Sequence, residues 1–367
     1  MTYKILNIII NSEYKLPLFK DFEFEGDSSH IEISLSKASL LKGGETKKAE
    51  NKGLSIFTDG DNYIYRYNNA QLKIDKAYKK GSLFLYEIYD KSSEQTTVQY
   101  LYRTVIECKA AKCGFVSLHS ACVEKDGFAV CFTGFSGLGK STRANIWAAN
   151  LSAEFLSGDR PGINTETGVA FGVPWDGKEG IYRNEQFPLK AVFDIRRGKT
   201  TTLRRLSPIQ RERILSQQCF YPMWDTETAY GVAINIKRLS QSIPVYRLIC
   251  DKTEAAAREA YNILFYNTDK ILKEQCDMII KKGFVMREVG KEHIIFPIDD
   301  NITKFNGTVV LNEVSAFVFE QLQTPLCFDD LLEAVINEFS VDKEVAKADL
   351  KELIKKLDEM GILEHQE

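Results

Sequence analysis

The chain has 367 residues, of which 44% are hydrophobic and 27% charged, a composition typical of a folded protein with two or three domains. Its eight cysteines include no CxxC pair, which argues against a disulfide framework or a zinc site. The formal net charge of −3 is unevenly spread, because residues 290–367 hold 17 acidic residues, 7 Lys and no Arg. No apolar run reaches the roughly 18 residues that span a bilayer, so a cytoplasmic protein with no membrane partner is expected.

Residues 1–97 are predicted to form a β-rich N-terminal region. Alternating or β-branched and aromatic residues indicate short strands at "HIEISLS", "NYIYRY", "QLKIDK" and "SLFLYEI". The next segment, "VQYLYRTVIECKAAKCG", has helical spacing of its apolar residues and ends at Gly114. This region shows no residues that suggest chemistry, and we expect it to support the domain that follows.

Residues 98–275 are predicted to form an α/β nucleotide-binding domain, since strand-like and helix-like segments alternate. The predicted strands are "FVSLHSACV", "FAVCFTG", "PLKAVFDIR" and "PVYRLICD". The predicted helices are "KSTRANIWAANL", "SPIQRERILSQQ" and "KTEAAAREAYNILF". Ser207 and Pro208 stand at the N-cap and first position of the second of these helices.

The stretch "GFSGLGKST", residues 134–142, fits the pattern G-x-x-x-x-G-K-[ST] between a predicted strand and a predicted helix. Glycines let successive backbone N–H groups turn toward phosphate oxygens, and the helix N-terminus adds positive potential. Lys140 would reach the β and γ phosphates of ATP, and the Ser141 hydroxyl would ligate Mg²⁺. The predicted cofactor-binding residues are Gly134, Ser136, Gly137, Leu138, Gly139, Lys140, Ser141 and Thr142.

The sequence also predicts that His119 lies beside this loop. Asp126 and Gly127 form a typical two-residue hairpin turn between apolar runs. In that register Lys125 pairs with Phe128, and His119 falls opposite Gly134. A satisfied core histidine is the alternative, and a shift of one residue would remove the prediction.

A carboxylate is also needed, for Mg²⁺ or for the attacking hydroxyl. The segment "AEFLSGDRPGI" predicts a short strand that ends at Asp159, which could serve as metal ligand or as catalytic base. Lys178, Arg183 and Lys190 are candidate anion or substrate contacts, with solvated surface charge as the alternative. Arg143, three residues beyond Lys140, is interpreted as a helix-face charge.

The segments "LHSACV", "GFSGLGKS" and "LSGDR" together resemble the HPr kinase/phosphorylase family, which shares a core with phosphoenolpyruvate carboxykinases. The resemblance covers about residues 100–265. It implies that His119 lies near the transferred phosphate and that Asp159 is a catalytic base or metal ligand. The family commonly has two consecutive Asp where this chain has Gly158 and Asp159, and the signature of its phosphorylase function is not recognisable. The missing signature indicates a relative with another substrate. The single Asp implies that Asp159 serves as both base and metal ligand, or that the activity is weak.

Residues 285–367 read as a small winged-helix-like α+β module with two short strands and three helices, the first capped by Asn312. The stretches "DDNITKFNGTVVLNEVSAFVFEQL" and "FDDLLEAVINEFSVDKEVAKADLKELIKKLDEMGIL" resemble the PqqD family. That resemblance implies a domain that binds the leader of a ribosomally made precursor peptide as an added strand. DNA binding is the competing interpretation, and the net charge of −10 in residues 290–367 argues against nucleic acid.

Together these features predict an ATP- and Mg²⁺-dependent kinase that phosphorylates a Ser or Thr hydroxyl of a precursor peptide. Asp159, His119 and Lys140 are the predicted catalytic residues. One alternative is a kinase for a small metabolite or a carrier protein. A second is a non-catalytic, nucleotide-gated peptide-binding scaffold. The sequence leaves open the peptide, the choice between ATP and GTP, and whether the chain forms a homo-oligomer.

Overall fold

The computed structural model describes residues 1–26, 28–41, 43–86, 91–135, 137–175, 180–271, 277–290, 292–298 and 309–366. The chain folds as two compact units, Met1–Leu272 and Lys273–Glu367. The predicted limit between residues 97 and 98 falls inside a helix of the first unit, α1 (Lys91–Lys112). The N-terminal region and the region with the glycine-rich loop therefore belong to one compact unit.

The first unit begins with an N-terminal sheet, which has eight strands within the described ranges, in the order β1-β2-β3-β8-β7-β6-β5-β4. The predicted strands at "HIEISLS", "NYIYRY", "QLKIDK" and "SLFLYEI" are confirmed. The strands are β1 (Thr2–Ile5), β2 (Ile8–Ser12), β3 (Ile31–Leu35), β4 (Thr46–Asn51), β5 (Leu54–Thr58), β6 (Asn62–Tyr67), β7 (Ala70–Asp75) and β8 (Lys80–Leu85). A 3₁₀ helix at Pro17–Phe22 follows β2.

Helix α1 packs on one face of the N-terminal sheet and buries a core rich in aromatic and aliphatic side chains. The hydroxyl of Tyr78 donates a buried hydrogen bond of 2.9 Å to Asp225. The indole N–H of Trp224 donates to the hydroxyl of Tyr65 at 3.1 Å. These bonds cross from the N-terminal sheet to the segment before a helix of the second half of the unit. They fix the two parts relative to each other, because buried polar groups are costly when their partners are lost.

The second half of the first unit is built on a central sheet. Its path is β12-β10-β11-β15-β14-β13-β9, and β17 pairs with β15 and β16. The strands are β9 (Phe115–Ser117), β10 (Ser120–Lys125), β11 (Phe128–Thr133), β12 (Glu154–Ser157), β13 (Gly162–Asn164), β14 (Val169–Phe171), β15 (Gln186–Arg197), β16 (Thr202–Arg205) and β17 (Val245–Cys250). β11 runs parallel to β15, which runs parallel to β17.

Helices cover both faces of the central sheet. Val130 and Phe132 face the apolar cluster that includes α2 (Lys140–Leu151) and α5 (Glu254–Phe265). Ala129 and Cys131 face the cluster that includes α3 (Pro208–Gln218) and α4 (Thr226–Ser242). Because alternate residues of a strand point to opposite faces, a strand covered on both faces is apolar throughout. A short 3₁₀ helix at Thr268–Lys270 follows α5.

The hairpin register predicted from the Asp126–Gly127 turn is confirmed. Lys125 pairs with Phe128, and the ladder extends to Ser120 opposite Thr133. The predicted N-cap at Ser207 is also confirmed, since its side chain accepts from the backbone N–H of Gln210 in a full capping box.

Two predictions about this half were wrong. "FVSLHSACV" is not one strand: it divides into β9 and β10, because Leu118 bridges Cys219 and the N–H of His119 donates to the carbonyl of Gln218. The strand before the acid ends at Ser157 and not at Asp159. Helix α4 was not predicted at all.

The second unit contains a short ladder and a wing sheet. The ladder pairs β18 (Asp277–Ile280) with β22 (Leu363–Gln366). The wing sheet has the order β19 (Phe284–Val289), β20 (Glu292–Pro297), β21 (Val309–Leu311). The helices are α6 (Glu313–Gln321), α7 (Phe328–Phe339) and α8 (Lys343–Glu359). The three predicted helices and the Asn312 cap are confirmed, whereas the expectation of only two strands was wrong.

Candidate active site

The glycine loop (residues 134–139) joins β11 to α2. It lies at the carboxyl end of β11 in the central sheet, and we call this end of the sheet the loop end. Gly134, Gly137 and Gly139 have φ values of 139°, 84° and 98°. Residues other than glycine rarely adopt this left-handed backbone conformation, so glycine is needed for the path of the loop. A Cβ on Gly137 would meet nothing within 4 Å, so the loop is open on that side. Ser136 lies outside the described residues.

Helix α2 begins at Lys140 without a side-chain N-cap, because its N-cap residue is Gly139. The first N–H groups of a helix lack intrahelical partners and attract anions. Ser141 and Thr142 lie in this first turn. The Lys140 ammonium donates to the carbonyl of Gly134 at 3.0 Å and so lies across the loop. The described part of the loop thus offers backbone N–H groups and an ammonium to an anion.

His119 stands between β9 and β10 beside the end of β11. Its backbone N–H donates to Gln218 O at 2.8 Å, and its carbonyl accepts from the Thr133 hydroxyl at 2.9 Å. Thr133 is the residue before Gly134. The backbone of His119 is therefore held next to the first glycine of the loop, as the hairpin register implied.

Asp159 lies beside His119. The distance between His119 Nε2 and Asp159 Oδ1 is 3.8 Å, and the side chains are 38% and 25% exposed. One backbone hydrogen bond joins this segment to the neighbour of His119, since the N–H of Leu118 donates to Pro161 O at 3.2 Å. Within the segment, Ser157 Oγ donates to the carbonyl of Asp159 at 2.8 Å. The fold thus brings together two predicted site residues that are 40 residues apart in the chain.

Arg103 of α1 is a second neighbour of Asp159, and it was not identified from the sequence. Its Nη1 lies 3.7 Å from Asp159 Oδ2, and its Nε lies 3.3 Å from Glu107 Oε1. Glu107 is buried and also accepts from Ser117 Oγ at 2.6 Å. Helix α1, which packs on the N-terminal sheet, therefore contributes a fixed cation to the loop end.

Burial and neighbouring charges both act on the titrating groups of this cluster. Burial is the largest cause that lowers the pKa of His119; Lys140 lowers it further, and Asp159 raises it. Burial also lowers the pKa of Lys140, and there Asp159 again opposes the shift while Arg160 adds to it. A histidine whose pKa falls below its usual value near 6.5 is neutral at physiological pH. His119 is thus available as a hydrogen-bonding group without a charge.

A second carboxylate, Asp194, stands at the loop end on the other side of β11. It pairs with Thr133 in the parallel ladder and is 2% exposed. Its oxygens accept from Arg247 Nη2 at 3.2 Å and from Arg196 Nη1 at 2.9 Å. Asp194 was not identified from the sequence, because the pairing of β11 with β15 joins segments about 60 residues apart. The loop is therefore flanked by Asp159 on one side and Asp194 on the other.

Two more arginines hold the loop and its helix in place. Arg197 Nη2 donates to the carbonyl of Gly137 at 2.9 Å. Arg143, interpreted from the sequence as a helix-face charge, is instead buried and donates to the carbonyls of Cys250 and Asp251 at the end of β17. That interpretation was wrong because helical periodicity does not show which face of α2 meets the sheet.

The structure does not bring Arg183 and Lys190 to the loop end. Arg183 forms ion pairs with Glu124, Glu154 and Glu185. The Lys190 ammonium lies 5.1 Å from the centre of the Phe128 ring. Phe128 begins β11, six residues before Gly134, a separation of about 20 Å along an extended strand. Lys178 lies outside the described residues.

The arrangement of the loop end fits a nucleoside triphosphate with Mg²⁺. The left-handed glycines, the uncapped helix start and Lys140 are the groups that would hold its phosphates. Ser141 and Asp159 would supply one hydroxyl and one carboxylate oxygen, the kind of ligand Mg²⁺ prefers. Across the described ranges, no group of three or more His, Cys, Asp or Glu is placed to hold a metal ion.

A groove of about 280 Å³ lies on the second unit next to the end of β21. It is lined mainly by apolar side chains of the helices, with two carboxylates and one ammonium among them. The lining residues are Asn312, Val314, Ser315, Val335, Phe339, Val341, Val345, Ala346, Asp349, Leu350, Glu352, Leu353 and Lys356. Val341 and Val345 are 38% and 57% exposed. Such a partly exposed apolar groove is suited to an apolar side chain of a partner.

Comparison with known proteins bears on this second unit. Residues 292–363 match the family model described as "Coenzyme PQQ synthesis protein D (PqqD)". This part of the chain is a PqqD domain. The match covers less than half of the chain, and no curated protein matches it. The resemblance of residues 100–265 to the HPr kinase family therefore stays a prediction.

One solved structure that matches is titled "TbiB1 in Complex with the TbiA(beta) Leader Peptide". It is 19% identical to this chain, with 23% of this chain and 94% of that chain covered, at a TM-score of 0.21. A score this low carries no argument about the fold.

Every helix in the described part of the chain is too short or too polar to cross a membrane.

Proposed function

We propose that this chain is an ATP- and Mg²⁺-dependent kinase that phosphorylates a Ser or Thr hydroxyl of a ribosomally made precursor peptide. The observation that carries the proposal is the pairing of His119 with Asp159, at 3.8 Å, beside Lys140 of the glycine loop. The PqqD domain at residues 292–363 supports a peptide as the acceptor. Neither feature alone suggests both a phosphate donor and a peptide.

The donor would be held by the loop. Backbone N–H groups of the glycine loop and of the first turn of α2 bind the phosphates, and Lys140 shifts from the Gly134 carbonyl to phosphate oxygens. Ser141 is the candidate Mg²⁺ ligand, and Asp159 would be a second ligand in the alternative in which it does not act as the base. ATP supplies the phosphoryl group. The bound Mg²⁺ would supply positive charge that balances the negative charge of the phosphates during transfer.

Asp159 accepts the proton of the acceptor hydroxyl, and His119 orients that hydroxyl through a hydrogen bond. The acceptor oxygen then bonds to the terminal phosphorus. The bond between that phosphorus and the bridging oxygen breaks, and its electron pair stays on the diphosphate. Arg103, held by Glu107, fixes the orientation of Asp159 by pairing with its other oxygen.

The second unit would hold the leader of the peptide. A leader strand added beside β21 gains main-chain hydrogen bonds, and its side chains reach the groove. Asp349 and Glu352 on the groove favour a leader with Lys or Arg. Holding the leader raises the concentration of the acceptor segment near the loop end.

The proposal is tested by incubating the full chain with ATP, Mg²⁺ and the precursor peptide encoded beside its gene. Intact mass analysis of the peptide is expected to show the gain of one phosphate. ATP binding without transfer to the peptide would contradict a peptide kinase and support a nucleotide-gated scaffold. Transfer to a small metabolite but not to the peptide would support the metabolite-kinase alternative.

A further inference from the structure

Arg160, the residue after Asp159, has an unusual backbone conformation. Its φ of 53° lies in the left-handed region, which is uncommon for residues other than glycine. The indole N–H of Trp175 donates to its carbonyl at 3.3 Å. Such strained residues persist where surrounding contacts fix them, and they are concentrated at functional sites. The backbone of Arg160 is thus held in one position beside Asp159.

The guanidinium of Arg160 is incompletely satisfied. Its Nη1 is buried and has no hydrogen-bond partner among the described residues. By contrast, Arg103 next to it is paired with Glu107 and Asp159. A buried charged donor without an acceptor is costlier than an unpaired neutral group. An anionic ligand at this place would remove that cost.

The surroundings of Arg160 suggest which anion it meets. Its charge lowers the pKa of both His119 and Lys140, so it acts on both sides of the cluster. Lys140, Arg103 and Arg160 outnumber the two carboxylates of the cluster, Asp159 and Glu107. An anionic ligand between the loop and Asp159 would balance the remaining positive charge.

We propose that Arg160 binds the terminal phosphate of a nucleoside triphosphate held by the glycine loop, and stabilises that phosphate as it passes to the acceptor. The inference rests on the proposed function and gives it a further contact residue. In transfer, the acceptor oxygen bonds to phosphorus as the bond to the bridging oxygen breaks, and Asp159 takes the proton. Negative charge then lies on the three equatorial oxygens, and the planar guanidinium can donate to two of them.

The test compares the affinities of the full chain for ATP and for ADP, measured by isothermal titration calorimetry with Mg²⁺ present. Arg160→Met keeps much of the side-chain volume and removes the charge. It is expected to weaken ATP binding by about 10- to 100-fold, the loss of a charged hydrogen bond. ADP lacks the terminal phosphate, and its affinity should change by less than about twofold.

Arg258→Met is the matched control, because Arg258 is exposed on α5 and pairs with Glu254. Its ATP and ADP affinities should equal those of the unaltered chain. Equal weakening of ATP and ADP by Arg160→Met, or no change in either, would overturn the inference. If thermal denaturation shows that Arg160→Met is unfolded, Arg160→Lys replaces it. Its affinity for ATP, but not for ADP, is expected to fall about tenfold. An unchanged ratio of the ATP and ADP affinities would overturn the inference.

A second readout uses phosphate transfer. Arg160→Ala is expected to lower kcat about 10³-fold, and millimolar guanidinium should restore part of it, because the free cation occupies the vacated position. If guanidinium does not restore kcat and the ratio of the ATP and ADP affinities is unchanged, Arg160 has only a structural role and the inference is overturned. Failure of the unaltered chain to bind ATP would contradict the proposed function itself, a different outcome from an unchanged ratio in the variants.

Discussion

At the loop end of the central sheet the functional groups are charged and come from separate segments of the chain, whereas the groove of the second unit is mainly apolar. His119, Lys140 and Asp159 follow three different strands or turns, and Arg103 comes from α1. Most groove residues lie on or just before a single helix, α8. In the proposed function, the first place carries out the phosphate transfer and the second recognises the peptide. Substitutions in the two places should therefore affect different measured quantities.

The largest effect is expected for Lys140→Ala. Loss of the ammonium that would bind the β and γ phosphates should lower phosphate transfer about 10³-fold, because no other loop side chain replaces it. Affinity of the full chain for the precursor peptide, measured by fluorescence anisotropy, should be unchanged.

Lys190→Ala is the matched control for this substitution, since Lys190 lies against Phe128 at the other end of β11. Its transfer rate should equal that of the unaltered chain. Transfer that survives in Lys140→Ala would show that the glycine loop does not bind the donor.

A somewhat smaller effect is expected for Asp159→Asn. The amide keeps the shape of the carboxylate but accepts no proton, so kcat should fall about 10²-fold or more. Asp126→Asn serves as control, because Asp126 lies in the exposed turn between β10 and β11. Equal kcat values in the two variants would show that Asp159 takes no part in the reaction.

An intermediate effect is expected in the groove. Val345→Arg places a charge where an apolar side chain is 57% exposed. Affinity for the precursor should fall about tenfold, the contribution of one buried aliphatic side chain. Turnover at saturating peptide should stay unchanged.

Val289→Arg is the control for the groove, because Val289 is 52% exposed in the same unit but does not line the groove. A parallel loss of affinity in both variants would mean that the groove is not the site of the leader. An effect of Val345→Arg on kcat alone would contradict the division of roles between the two places.

The smallest effect is expected for Glu352→Gln. This carboxylate lies on the groove and is exposed, so its attraction to a basic leader is screened by salt. Affinity should fall about twofold to threefold at low salt and show little change at high salt. Glu359→Gln, on the same helix outside the groove, is the control. A salt-independent loss would contradict an electrostatic contribution.

Local signals in the sequence were reliable. The Asp126–Gly127 turn fixed the register of β10 and β11, and with it the position of His119. Ser207 and Asn312 were correctly identified as helix caps, because capping depends on a few neighbouring residues. The three helices of the second unit followed from their apolar periodicity. These features depend on interactions between residues close in sequence.

Contacts between distant segments were not predicted. Asp194 reaches the loop end only because β15 pairs with β11. The sequence of a single strand does not predict which strands lie beside it in the sheet. Arg103 lies beside Asp159 only because α1 packs against the central sheet. Helix α4 went unpredicted, and the contacts that place its face against the sheet are likewise tertiary. The sequence therefore indicated the loop and two of its partners, but not the cations that surround them.

The most direct test measures phosphate transfer from ATP to two peptides by the unaltered full chain with Mg²⁺. The peptides are the full-length precursor encoded beside its gene and the same precursor without its leader. We expect one phosphate on the full-length precursor, with kcat/KM about 10²-fold higher than for the leaderless peptide. Absence of phosphate from both peptides, or equal kcat/KM for the two, would contradict a kinase whose PqqD domain selects the peptide that its glycine loop phosphorylates.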